Sequence, residues 1–292
     1  MAVRPLLSTT LLAALQILAS GAPVTNNSNG NAPRPAALTR PTSLAKAQDK
    51  AYFDHEHLLW SELLDQHVRG DGFDYDSLKK KPGKLDDYLA QMHVVTPNQI
   101  ASWSKEQRFA FWINAYNVHT IKKIVDNYPL KSIRKLSGAF GLNSVFDNNF
   151  IEMQALHPSG KNKKLSLNDI EHKILRERFK DARLHAAINC ASYSCPPLRN
   201  EAFTADRLDV QLQDQMRKFV NDPKRNLIDT KKNTLRLSKI FDWFKTDFER
   251  DAKSVKEFFI RFAPKDQAEA IRAMRIKHIS YDWALNDIKP ID

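Results

Sequence analysis

A helix that is apolar on every face has to be surrounded by protein, and the stretch from Phe109 to Val125 reads as one. Phe109, Phe111, Trp112, Ile113, Tyr116, Val118, Ile121, Ile124 and Val125 fall all round the wheel of a segment that runs from Lys105 to Asn127. This segment is expected to be the buried spine of the domain. Asn114 and Asn117 lie one turn apart on it, and Ile121 continues their stripe, so both amides are expected to point inward. A buried amide without partners costs about 1–3 kcal/mol, so something polar must stand opposite each. Either they brace loop backbone, or one of them orients a histidine or donates to an oxyanion in a thiol site.

Helices and short strands surround the spine without a βαβ rhythm. Lys46 to Arg69 carries Phe53, His57, Trp60, Leu63 and Leu64 on one helical stripe, and Gly70-Asp71-Gly72 stops it. Tyr75 to Val95 reads as a helix broken near Pro82-Gly83, and Thr96-Pro97 opens the next with a cap and a first-position proline. Lys131 to Leu136 is a helical turn, followed by a loop anchored by Phe140, Val145 and Phe146. Phe150 to Leu156 and Lys163 to Leu165 are expected to pair around His157-Pro158-Ser159-Gly160. Ser166 caps a helix with Asp169 at its third position and Ile170, Ile174, Leu175 and Phe179 inside. Thr204 to Val220 is amphipathic, and Leu227 to Asp229 with Thr234 to Leu237 forms a second hairpin. Two helices split by Pro264 and a strand from Ile276 to Tyr281 complete the chain. This order predicts an α+β fold, a helical layer packed on a small antiparallel sheet, as a single domain over residues 46–292.

The N-terminus has the form of an export signal: Arg4, an apolar run from Leu6 to Leu18 too short to span a bilayer, and small residues at Ala19-Ser20-Gly21. Residues 1–21 are read as signal peptide and 22–45 as a disordered tether holding the glycosylation acceptor Asn26-Asn27-Ser28. A secreted or luminal protein with no transmembrane helix after signal removal is expected. The formal charge of +11 is dispersed in short clusters such as Lys79-Lys80-Lys81 and Lys161 to Lys164. No basic stripe interleaved with aromatics appears, which argues against nucleic acid and leaves an anionic surface partner open.

The chain has 2 cysteines, both in the stretch Arg183 to Leu198, RLHAAINCASYSCPPL. Leu184, Ala186 and Ile188 alternate and predict a half-buried strand, after which Pro196-Pro197 prevents continuation. Export would place these thiols in an oxidising compartment, where Cys190 and Cys195 could close a small disulfide. Alternatively, one is a nucleophile served by His185, His119 or His278. A zinc set of His185, Cys190 and Cys195 with Asp242 or Asp282 matches no usual spacing, and two inert thiols are the remaining choice. No cofactor motif is present.

FWINAYN (Phe111 to Asn117), SLNDIEHKILR (Ser166 to Arg176), HAAINCASYSCPPL (His185 to Leu198), SKIFDWFKTDF (Ser238 to Phe248) and YDWALN (Tyr281 to Asn286) resemble the blocks of the family catalogued as domain of unknown function 547. The likeness covers roughly residues 100 to 287. It implies that His185, both cysteines, Asn114, Asn117 and the Asp-Trp pairs, Asp242 among them, belong to one shared pattern, and it supplies no reaction. The preferred expectation is a cysteine-type hydrolase or acyl-transfer enzyme acting on a small-molecule or peptide substrate. Cys190 is its nucleophile, a nest of Ala191 and Ser192 N–H groups is the anion site, and Cys195 is structural or resolving. The rivals are a non-enzymatic binding or scaffold protein with a Cys190–Cys195 bridge, and a thiol–disulfide redox protein.

Overall fold

A computed structural model describes residues 53–138, 143–153, 156–157 and 164–289. The segments expected to be a signal peptide (1–21) and a tether (22–45), Phe140 and the expected turn Pro158 to Gly160 lie outside the described residues. Residues 51–292 form one compact unit, mostly helical with two small sheets. Among the described residues, no helix is long and apolar enough to cross a membrane.

The spine is α5 (Lys105–Asn127), and every residue from Phe109 to Ile121 is buried. Ser104 and Gln107 cap its start reciprocally, which satisfies N–H groups that the first turn leaves unpaired. α1 (Leu58–His67) packs on α2 (Tyr75–Lys80) and α3 (Gly83–His93), both of which pack on the spine, and α4 (Pro97–Ser102) precedes it. The first of these begins later than the apolar stripe suggests. Asp54 accepts the N–H groups of Glu56 and Leu58 at 2.9 and 2.8 Å, and His57 adopts a left-handed φ of 51°, so this stretch closes a turn rather than a helix. Its ring still packs inward, sharing a 2.6 Å hydrogen bond with Tyr88. A hairpin of β1 (Val68–Arg69) and β2 (Gly72–Phe73) follows α1, with Gly70 at the positive φ its turn needs.

The helix Asp169–Phe179 also packs on the spine, where Phe179 stacks on Phe109 with centroids 4.4 Å apart. Ser166 and Asp169 exchange hydrogen bonds at its start, as their spacing predicts. The helix is wound as a π-helix, a form that is rare and tends to occur at functional sites. Ile151 bridges Leu165 where the first hairpin was expected.

Two expectations need correction. Leu184–Ala187 is a helical turn, not a strand. Leu184, Ala187 and Ile188 share a face and enter the core around the spine, whereas Ala182 and Ala186 enter a second core beneath the larger sheet. A turn of helix serves two cores in this way, with spacings of three and four, and the alternation of Leu184, Ala186 and Ile188 was coincidental. The larger sheet is also mixed rather than wholly antiparallel. β3 (Leu227–Asp229) pairs antiparallel with β4 (Thr234–Leu237), but β5 (Arg275–His278) lies parallel to β4. The long helical connection between β4 and β5 is what a parallel neighbour requires. The strand ends at His278, so Tyr281 leaves the sheet.

Both spine amides brace loop backbone. Asn114 donates to the Phe203 carbonyl at 2.8 Å and accepts the Phe203 N–H at 3.1 Å. Asn117 donates to the Ala187 carbonyl at 2.9 Å and accepts the Asn189 N–H at 2.8 Å. Replacing Asn114 with Ala strands two buried backbone groups and is expected to cost about 2–4 kcal/mol. A urea titration showing a loss below about 1 kcal/mol would refute the clamp.

Burial lowers His57 and His119 to about 3, from the 6.5 of an unfolded chain. Below pH 6.5 the unfolded chain therefore takes up protons that the folded protein refuses. Stability is expected to fall steadily as pH drops from about 6.5 toward 3. Urea midpoints that stay level across that window would contradict this.

Candidate active site

The cysteine loop is folded back on itself by Asn189. Its amide donates to the Pro196 carbonyl at 2.7 Å and accepts the Ala191 N–H at 2.8 Å. Buried Arg225 holds the same loop from beneath, donating to the carbonyls of Cys195 at 2.7 Å and Tyr193 at 2.8 Å. These ties bring the two sulfurs to 3.1 Å, both as free thiols. The Cys190 sulfur also lies 3.1 Å from the hydroxyls of Ser192 and Tyr281, which are themselves 2.8 Å apart. Burial resists its ionisation, but the hydrogen bonds from Cys195, Ser192 and Tyr281 prevail and bring the Cys190 thiol down to about 7. Cys195 goes the opposite way, pushed well up by burial and by the adjacent sulfur. Cys190 is thus the thiol ready to act as a nucleophile, and Cys195 keeps its proton.

Both sulfurs border a cleft of about 160 Å³. The π-helix contributes Glu171 and His172 to it and Asn168 stands just before that helix, with aromatic rings of Phe146, Trp243, Phe244, Tyr281 and Trp283 also in the lining. Burial raises the Glu171 carboxyl to about 7, and the charge of the Cys190 sulfur adds to that push. His185 stacks on Phe244, with centroids 3.9 Å apart, and its Nε2 lies 2.8 Å from Asp247. Burial takes His185 down to about 4 despite this carboxylate, so the ring is neutral at pH 7. Burial opposes ionisation of Asp247 too, but hydrogen bonds from His185 and Arg176 hold it well below the usual carboxylate range. An ionised Asp247 accepts the Nε2–H and leaves Nδ1 as the basic nitrogen. That Nδ1 is buried without a hydrogen-bond partner and lies 3.9 Å from Glu171 Oε1.

Of the residues singled out from sequence, Cys190, Cys195 and His185 meet at this cleft. Asn114 and Asn117 do not line it. Asn117 acts at one remove, by fixing the backbone on both sides of Ile188. Asp242 lies outside as well, in an exposed ion pair with Lys239 at 2.9 Å, and Asp247 of the same sequence block takes the position beside the histidine. His119 is occupied by the Ala115 carbonyl and His93. His278 stands on β5 near Asp242 and is absent from the cleft lining. The nest is not open, because the Ala191 N–H is taken by Asn189 and the Ser192 N–H is directed at the Cys190 sulfur. Among the described residues no group of three or more His, Cys, Asp or Glu is arranged to hold a metal ion. His185 is committed to Asp247 instead.

Glu171, Asp247, Tyr281 and Tyr116, whose hydroxyl hydrogen-bonds Glu171, escaped sequence reasoning. The signal available for Glu171 was a carboxylate beside Ile170 on a buried face. Tyr281→Phe removes one donor from the Cys190 sulfur. A hydrogen bond to a charged group contributes about 1.5–3 kcal/mol, so the thiol is expected to rise by about 1–2 pKa units. The pH dependence of its alkylation by iodoacetamide reads this directly, and an unmoved midpoint would refute the role given to Tyr281.

No curated protein and no solved structure matches the chain. Residues 100–220, which include α5, Glu171, His185 and both cysteines but neither Asp247 nor Tyr281, match the model of the family described as protein of unknown function, DUF547.

Proposed function

We propose that the protein is an exported cysteine-type hydrolase or acyl-transfer enzyme with Cys190 as its nucleophile. The observation that carries this reading is the convergence of three groups on one small cleft: a thiol near 7, a carboxyl near 7, and a neutral histidine held by Asp247 with its other nitrogen unpartnered. The Cys190 thiolate attacks the substrate's carbonyl carbon, and the carbonyl π pair moves to oxygen. When the carbonyl re-forms, the leaving group departs with a proton from Glu171, and a thioester remains on Cys190. Attack by water on the thioester, its proton passing to Glu171 directly or through His185 Nδ1, breaks the C–S bond, releases the acid and restores the Cys190 thiolate and the Glu171 proton; attack by another nucleophile gives acyl transfer. Cys195 donates to the resting thiolate and helps keep it ionised.

The 3.1 Å separation of the sulfurs favours one second reading, a dithiol–disulfide exchange in which Cys195 resolves a mixed disulfide on Cys190. Thioester hydrolysis, followed by release of the thiol, separates the two. Cys190→Ala is expected to reduce turnover by roughly a hundredfold or more, while Cys195→Ala keeps the nucleophile and retains measurable activity. Full turnover in Cys190→Ala would end the acyl-transfer reading. A wild type that hydrolyses no thioester but cycles reversibly to a form lighter by two hydrogens would establish the exchange reading instead.

A further inference from the structure

The cleft carries more aromatic surface than proton transfer and attack require. Trp243 leaves 48% of its surface exposed at the mouth. Tyr281 lies 4.8 Å from it, and Trp283 lies 6.0 Å away with the two ring planes 25° apart. Arg134 stands over the Trp283 ring at 5.3 Å and helps fix its orientation. The free space of about 160 Å³ is close to the roughly 150 Å³ of an apolar cavity known to take one benzene molecule.

Polar side chains at the border are mostly engaged already. Asn168 donates to Asp147 at 2.6 Å, His172 Nδ1 lies 2.9 Å from Arg176, and Tyr281 is bound to Ser192 and the Cys190 sulfur. A sugar ring would bury hydroxyls with few partners left, at a cost for each. A planar hydrocarbon ring needs only apolar contact, which the half-exposed Trp243 and the lining rings of Phe146 and Phe244 supply.

We infer that the cleft takes a single aromatic ring, so that the substrate is an aromatic acyl compound of benzoyl size, its ring against Trp243 and Trp283 and its carbonyl toward Cys190. The chemistry rests on the acyl-transfer reading, but the binding does not, and the two are tested separately. Benzamide and acetamide serve as probes of the intact protein in saturation-transfer NMR. The ring protons of benzamide are expected to show transfer in the wild type and in Trp243→Phe, to lose about fivefold or more in Trp243→Ala, and acetamide is expected to show none. Absent transfer to benzamide, or transfer unchanged in a folded Trp243→Ala, overturns the inference. In the second arm, ethyl thiobenzoate should be hydrolysed about tenfold or more faster than ethyl thioacetate. Equal rates overturn the inference while leaving the acyl-transfer reading intact. Benzamide binding without hydrolysis of either thioester supports the ring site and removes the acyl-transfer reading alone.

Discussion

A helix enclosed by protein on all sides cannot leave its own polar side chains dry, and that requirement shapes the molecule. Asn117 meets it by binding the carbonyl of Ala187 and the N–H of Asn189, the residues on either side of Ile188. Asn189 passes the constraint along the loop to Pro196 and Ala191. Asn286 faces Asn189 at 3.4 Å and is itself held by the Tyr75 hydroxyl at 2.8 Å. Amides from distant parts of the chain thus form one buried network, and the cysteine loop is its product. Such networks specify a single arrangement because each unpaired member would be costly.

The same enclosure sets the electrostatics of the cleft. Cys190 and Glu171 both titrate near 7, and the charge of one raises the other. They therefore titrate as a pair, and one of the two forms with a single negative charge sets the thiolate beside a protonated carboxyl. On the proposed acyl-transfer reading that form presents nucleophile and proton donor together, a division of roles produced by environment rather than by residue type. The charge of Asp247 is compensated separately by Arg176 at 2.6 and 3.2 Å, so His185 can remain neutral beside it.

Features governed by local rules were legible in the sequence. The bounds of α5, the cap at Thr96 and the β3–β4 hairpin follow from periodicity, hydroxyl caps and turn residues, which act within a few positions. The loop with both thiols was legible as well, through its prolines and small residues. Less local features were not. Leu184 to Ile188 fits a strand or a helical turn until the existence of two cores is known. Asp242 and Asp247 lie in one block, and only the path of the helices Ile240–Trp243 and Lys245–Ala252 decides which carboxylate turns toward His185. Tyr281 reaches Cys190 because β5 ends at His278, a boundary that side-chain pattern did not mark.

The two sulfurs cannot be treated as independent, whichever chemistry the loop performs. Cys195 keeps its proton and offers it to Cys190, which would support the thiolate of the proposed acyl transfer; the same proximity makes it the natural partner in a disulfide. Joining the sulfurs removes the nucleophile and its donor together, and also the charge that helps hold Glu171 in its protonated form. Oxidation would therefore remove the thiol and the smaller of the two causes that raise the Glu171 carboxyl, leaving burial as the larger. Arg225, by fixing the carbonyls of Tyr193 and Cys195, holds the loop in the conformation that sets the distance between these states.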